Sequence, residues 1–307
     1  FDAARGAGET HPAAPAPAAA APEPSQTPRG PRKQTLAWED LVARAAALPP
    51  PAREMAQAGL RKVVDFQDTA YGREYLDRLE RVLAADDEGH GYALTREAAK
   101  YIANAMAYDD MIRVADRKTR PGRFARIRAE MGVDEGKVMQ LTEFTHPRAQ
   151  EVVSLFPAGM GRWCEARPRL MGWIDRRVNK GRRLRSDGLW SFLQLYMLGG
   201  LRFWRRRTLR HAQERAHLQE WLDRVLSIAA RDYALGVEAV RARRLIKGYS
   251  DTHARGLSKF DRVMDGIAAV EGREDAADWA RRLREAALAD EKGEALDGAL
   301  KTIRSFA

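Results

Sequence analysis

The chain has 307 residues with 53 Lys and Arg against 43 Asp and Glu, a formal net charge of +10, and it is 45% hydrophobic and 31% charged. That is a folded globular composition with more charge than the usual quarter, as long exposed helices produce. A single cysteine, Cys164, excludes an internal disulfide and an iron–sulfur cluster held by this chain alone, and points to the cytosol.

The chain opens on Phe1 rather than methionine, without a basic segment followed by an apolar one, and reads as a processed chain or an excised portion of a longer one. Residues 13–31 are rich in Ala and Pro and offer little to bury, so residues 1–34 are expected to be a stub of a preceding unit and a disordered linker, with a helical domain over 35–307. A first helix is predicted from Trp38 to Leu48, stopped by Pro49, Pro50 and Pro51. From Ala52 to Ala85, Leu60, Val63, Phe66, Tyr71, Tyr75, Leu79 and Leu83 recur at three- and four-residue steps, which predicts one long helix, with a break at Gly72 as its weak point.

Thr95 is a candidate N-cap for a helix to about Lys118, and Pro121-Gly122 punctuates before a short helix from Arg123 to Met131. Residues 138–144 alternate as a strand does, with no partner strand in the reading, so the stretch is extended loop or adds to another chain's sheet. Helices follow near Arg148 to Phe156 and Gly161 to Val178, then a basic turn, then helical territory from Leu189 to about Ile246. In its second half Leu218, Trp221, Leu222, Val225 and Ile228 form one apolar stripe. The run from Leu189 to Leu201, interrupted by Ser191 and Gln194, is too short to span a bilayer. Gly248 stops the next helix, Ser250 or Asp251 caps another over Thr252 to Val270, and a last helical segment runs from Asp275 to Phe306. The expected fold is mainly all-α, a bundle of long antiparallel helices with one short strand-like stretch.

Three clusters stand out as candidate sites. Residues 176–210 hold eleven Arg and Lys, among them Arg182, Arg183, Arg185, Arg205, Arg206 and Arg207, against the single acid Asp187, with Trp190, Phe203 and Trp204 interleaved. Such a segment suits a subunit interface, where arginine stems pack and guanidinium forks meet carboxylates; it also suits an anionic ligand or nucleic acid. Around Gly248, the residues Arg244, Lys247, His253 and Arg255 surround a glycine turn entering a helix, a geometry that fits a carboxylate or phosphate; the plainer reading is a helix stop, a cap and a surface histidine. Asp109, Asp110, Arg113, Asp116 and Lys118 could ligate a divalent metal, but ion pairing such as Asp109 with Arg113 accounts for their spacing. The six histidines have no metal-ligand spacing, Cys164 reads as core packing, and no phosphate-loop, dinucleotide or nucleophile-elbow motif is present.

Four segments carry a resemblance: Val64-Asp65-Phe66-Gln67-Asp68-Thr69-Ala70-Tyr71, Ile112 through Arg120, Leu155-Phe156-Pro157-Ala158-Gly159, and Gly199-Gly200-Leu201-Arg202 with Trp204 through Leu209. Together with residues 247–256 they resemble the C-terminal region of indolepyruvate oxidoreductase beta subunits, the part that follows the gamma-type catalytic domain, and Phe1 to Gly8 is similar to that domain's tail. The resemblance implies oxidative decarboxylation of arylpyruvates to acyl-coenzyme A with a ferredoxin-type acceptor. It places thiamine diphosphate and the iron–sulfur clusters in the alpha subunit, none in this region, and it supplies no catalytic residue here. The partners it implies are the gamma-type domain of the same subunit and the alpha subunit, in the cytoplasm, without membrane. It leaves an assembly role, an anion-binding role toward coenzyme A or the arylpyruvate, and a more distant nucleic-acid role to be separated.

Overall fold

A computed structural model describes residues 30–134, 136–137, 139–248, 251–289 and 293–306. The Ala/Pro stretch up to residue 29, and the side chains of Arg182, Asp251 and His253, lie outside the described residues. Among the described residues the chain is mainly helical with one two-stranded sheet, and no helix there is long and apolar enough to cross a membrane.

The first helices follow from proline and aspartate chemistry. Helix α1 (Arg32–Ala46) takes in residues expected to be linker, and α2 (Pro50–Phe66) begins at Pro50, where a missing N–H costs nothing. The expected long helix then divides into α2 and α3 (Thr69–Leu83) at Gln67-Asp68 rather than at Gly72. Asp68 is fully extended and its carboxylate accepts the Tyr71 N–H at 2.7 Å, so a cap starts a new helix where periodicity alone sees continuity. Gly72 serves packing instead, since a Cβ there would meet the Val64 side chain at 2.5 Å.

The same substitution of two helices for one occurs at α4 (Ala93–Met106) and α5 (Met111–Thr119). Thr95 is not the cap: it lies buried inside α4, and both its N–H and its hydroxyl donate to Asp86 at 2.7 Å. Asp110 caps α5 by accepting the Arg113 N–H at 2.6 Å. Next come α6 (Pro121–Glu130), β1 (Thr142–Thr145), α7 (Ala149–Val153), α8 (Ala158–Glu165), α9 (Pro168–Val178) and β2 (Arg182–Arg185). The strand-like stretch therefore has a partner in its own chain: β1 pairs antiparallel with β2, Phe144 opposite Arg183, so the basic turn is the second strand.

The helical territory from residue 189 onward is three helices, α10 (Leu189–Gly200), α11 (Leu209–Ala229) and α12 (Tyr233–Ala242), with caps from Thr208 and Asp232 marking the divisions. Helices α13 (Asp251–Val270), α14 (Ala276–Ala289) and α15 (Glu294–Arg304) complete the chain.

One core runs from Leu41 on α1 to Ile303 on α15 and contains the expected stripe Leu218, Trp221, Leu222, Val225 and Ile228. Residues 139–209 contribute to a separate, small cluster of Val153, Cys164 and Leu209, which confirms Cys164 as a packing residue. Helix α10 of this segment lies on α5, whose buried side chains Ile112 and Ala115 stand apart from the main core. There Gly199 lets the helices approach so closely that a Cβ would stand 2.9 Å from the Asp116 backbone nitrogen.

Candidate functional site

Arg205 sits in a 3-10 turn between α10 and α11, and its side chain is 2% exposed. Its Nε donates to Asp110 Oδ2 at 2.8 Å, one terminal nitrogen donates to the Phe66 carbonyl at 2.6 Å and to Gln67 Oε1 at 3.2 Å, and the guanidinium lies 4.1 Å from the Phe66 ring centroid. Phe66 is the last residue of α2, so its carbonyl is one that the helix leaves unpaired. Around this pair Arg113 donates to Asp65 at 2.6 Å and to Asp116 at 3.3 Å, and Arg120 bridges the same two carboxylates at 3.0 and 2.7 Å. Burial pushes the Asp65 carboxyl upward, yet hydrogen bonds from Arg113 and Arg120 outweigh it and hold the group below the usual carboxylate range. Arg202 reaches the Val64 carbonyl at 2.7 Å, and Gln67 donates back to the Arg202 carbonyl at 3.2 Å.

Three of the four resemblance segments thus meet in one ionic junction. Its carboxylates are occupied by guanidiniums, so its chemistry is cohesion rather than acid–base or metal catalysis. Two expectations are corrected here. Arg205 is not an interface arginine, because its fork is consumed inside the chain. Asp109 pairs with Arg117 at 3.6 Å instead of Arg113, which turns inward to Asp65.

The rest of the basic run is dispersed. Arg206 pairs with Glu74 and lies over Tyr71; Arg207 is exposed over the half-buried Trp204, whose indole donates to the Leu155 carbonyl at 3.2 Å. Arg183 lies over the exposed Phe144 ring and Arg185 pairs with Asp187 at 2.7 Å. Among these cations the region also presents large apolar side chains outward. Trp163, Trp173, Leu189, Trp190, Tyr196 and Phe203 are all exposed, Leu189 and Trp190 by more than three quarters (78% and 76%). Of the twelve residues of α10 only Leu195 is buried.

The segment around Gly248 frames two basic pockets that meet at Lys247. One, of about 480 Å³, opens between α2, α4 and residues 243–248, and brings Arg244 and Lys247 together with Lys62, Lys100 and Arg243. The other, of about 430 Å³, places Lys247 with Arg255, Lys259 and Thr252, and Lys259 donates to the Ala287 carbonyl at 3.1 Å. Arg244 and Arg255 therefore stand in different pockets, and the side chain of His253 lies outside the described residues.

In the first pocket Lys62 donates to Asn104 Oδ1 at 2.5 Å, and burial, then the Arg117 charge, holds its ammonium below the usual lysine range. Arg243 is buried, 2.9 Å from His217 Nδ1 and over the Trp221 ring, and burial lowers its guanidinium to about 10. The segment from Arg243 to Gly256 was legible as a candidate, but sequence reading missed Lys62 and Lys100, which α2 and α4 bring to it from far away in the chain. The only hint was a pair of lysines beside Asn104 on the polar faces of α2 and α4. Among the described residues no group of three or more His, Cys, Asp or Glu side chains could hold a metal ion.

Fold and geometry define a mainly α-helical protein with a buried ionic junction, an exposed apolar arc and a pair of basic pockets. The chain belongs to the DUF6537 family, a family of unknown function, whose family model matches residues 52–266 and so takes in the junction, α10 and the first of the two pockets. No curated protein and no solved structure matches the chain.

Proposed function

We propose that this chain is the accessory, assembly region of a thiamine-diphosphate-dependent indolepyruvate oxidoreductase, following the gamma-type domain of the beta subunit and docking onto the alpha subunit. The observation that carries the reading is α10: a helix apolar nearly all round belongs in an interior, yet only Leu195 of its twelve residues is buried. With Phe203 in the turn that follows it, α10 offers an apolar surface that a partner would cover, and burying each large side chain contributes about 1.5–3 kcal/mol. Arg183 and Arg207, exposed over aromatic rings, supply the arginine-and-aromatic chemistry of an interface.

The residues of this chain do not fit an iron–sulfur cluster, and its ionic junction leaves no carboxylate open to a metal. Cys164, the one thiol, is buried in a small core, and the carboxylates of the ionic junction are held by Arg113, Arg120 and Arg205. Thiamine diphosphate and the iron–sulfur clusters would belong to the alpha subunit, which would pass electrons to a ferredoxin-type acceptor in the cytoplasm.

The test is co-purification of the complete beta subunit with its alpha subunit, comparing the parent with a Trp190→Asp/Tyr196→Asp variant. Loss of the complex with an unchanged helical circular dichroism spectrum is expected. An intact complex, with undiminished indolepyruvate-dependent acceptor reduction, overturns the assembly reading.

A further inference from the structure

We infer that the pocket between α2, α4 and residues 243–248 binds a phosphate-bearing small molecule. The inference stands independently of the assembly role, because the pocket is built by the main core and does not involve α10. Five cationic side chains line it: Lys62 from α2, Lys100 from α4, and Arg243, Arg244 and Lys247 from the turn after α12. Two carboxylates also line it: Glu214, paired with Arg210 at 2.7 Å, offsets part of the Arg243 charge, and Asp109, 3.6 Å from Arg117, offsets part of the Lys62 charge. With five cations against two carboxylates the wall keeps a net positive charge in a concave, partly desolvated space, where attraction for an anion is stronger than on an open surface.

Three features set the class of ligand. The number of cations exceeds what one carboxylate uses, and it suits a group carrying two or more charges with several acceptor oxygens. The volume of about 480 Å³ is far larger than a phosphate ion needs and lies in the range that holds a whole small molecule, roughly 300–1,000 Å³. The remaining wall, Tyr101, Ala105, Ala107 and Ile246, gives an apolar body a place to rest beside the cations. Arg243 is 3% exposed, with its guanidinium over the Trp221 and Phe260 rings and 2.9 Å from His217 Nδ1, so it adds fixed charge to the wall while Lys62, Lys100, Arg244 and Lys247 supply the donors a ligand would meet. A polynucleotide would instead need a basic track along the surface, and the cations here converge inside one cavity.

The experiment is isothermal titration calorimetry of the full chain at low salt with three probes: inorganic pyrophosphate, ADP, and a single-stranded oligonucleotide. Saturable binding of pyrophosphate or ADP is expected, weakened about tenfold or more in a Lys62→Ala/Lys247→Ala variant, as loss of charge-assisted hydrogen bonds entails. Because that variant removes two long side chains, a second measurement uses the unaltered protein: pyrophosphate or ADP should protect Lys62 and Lys247 from an amine-acetylating reagent, read by peptide mass spectrometry. The inference is overturned if neither small probe binds, if binding leaves both lysines equally reactive, or if the oligonucleotide is the ligand whose binding depends on Lys62 and Lys247.

Discussion

Replacing Arg205 with methionine keeps most of the side chain's volume over Phe66 but removes its fork. The structure then leaves the Asp110 carboxylate, 3% exposed, with the Arg113 backbone N–H as its remaining close donor. The Phe66 carbonyl at the end of α2 and the Gln67 side-chain oxygen lose a donor at the same time. Breaking a buried pair from one side costs about 3–5 kcal/mol, because an uncompensated charge is stranded. At about 2 °C per kcal/mol, the low end for large domains, the midpoint of thermal unfolding should fall by roughly 6–10 °C. The paired change Arg205→Met/Asp110→Asn strands no charge, since an asparagine still caps α5, and it should recover at least half of the loss. Thermal and urea unfolding followed by far-ultraviolet circular dichroism measure both. If Arg205→Met costs less than about 1 kcal/mol, or the double variant is no better than the single one, the junction is not the mortar argued for here.

Two adjacent glycines should respond with opposite sign. Gly199→Ala puts a methyl 2.9 Å from the backbone of α5 and should cost about 1–3 kcal/mol of overpacking strain, whereas Gly200→Ala enters open space and should be neutral or stabilising by up to about 1 kcal/mol; urea midpoints decide. His211 is buried against Tyr71 and 3.1 Å from the Tyr108 hydroxyl, and burial, then the Arg206 charge, lowers it from 6.5 to about 4. The unfolded chain therefore binds a proton that the folded chain refuses between those two values. Stability should be fully present above pH 6.5 and fall on acidification toward pH 4, with a slope of at most about 1.4 kcal/mol per pH unit from this group. Urea titrations of the parent and of His211→Gln over that window would show the slope shrink in the variant, and an unchanged slope would contradict the assignment.

Helicity was legible because it rests on a local period. The stripe of Leu218, Trp221, Leu222, Val225 and Ile228 is the buried face of α11, and the alternation of Leu60, Val63 and Phe66 with charged residues marks the buried face of α2. Helix ends were read less well, for a physical reason. Asp68, Asp110 and Asp232 each end continuity by capping the following helix through one side-chain oxygen, and nothing in the apolar period distinguishes a capping aspartate from one on a solvated face. The pairing of β1 with β2 was missed because β2, Arg-Arg-Leu-Arg, has none of the β-branched or aromatic enrichment that marks a strand; its partner and its register supply what its composition lacks.

The candidate sites divide along the same line between local and distant determinants. A dense run of arginines is visible in sequence, but whether a given arginine faces out or in depends on residues more than ninety positions away: Asp110 claims Arg205, while Arg207, two residues on, remains outside over Trp204. The run is thus two things at once, an internal clamp that closes the end of α2 onto α5 and an outer fringe beside the exposed helix α10. A clamp of this kind has a consequence for assembly. The turn holding Arg205 follows α10 after one intervening 3-10 turn, Leu201–Phe203, so the buried pair anchors the chain just beyond the C-terminal end of the apolar helix, and Gly199 fixes its distance from α5. An apolar face held rigidly before its partner arrives avoids the ordering cost that a flexible segment meets on binding. On the proposed assembly role, Arg205→Met should weaken association with the alpha subunit although Arg205 is buried within this chain, and the weakening should track loss of order in α10 rather than loss of charge.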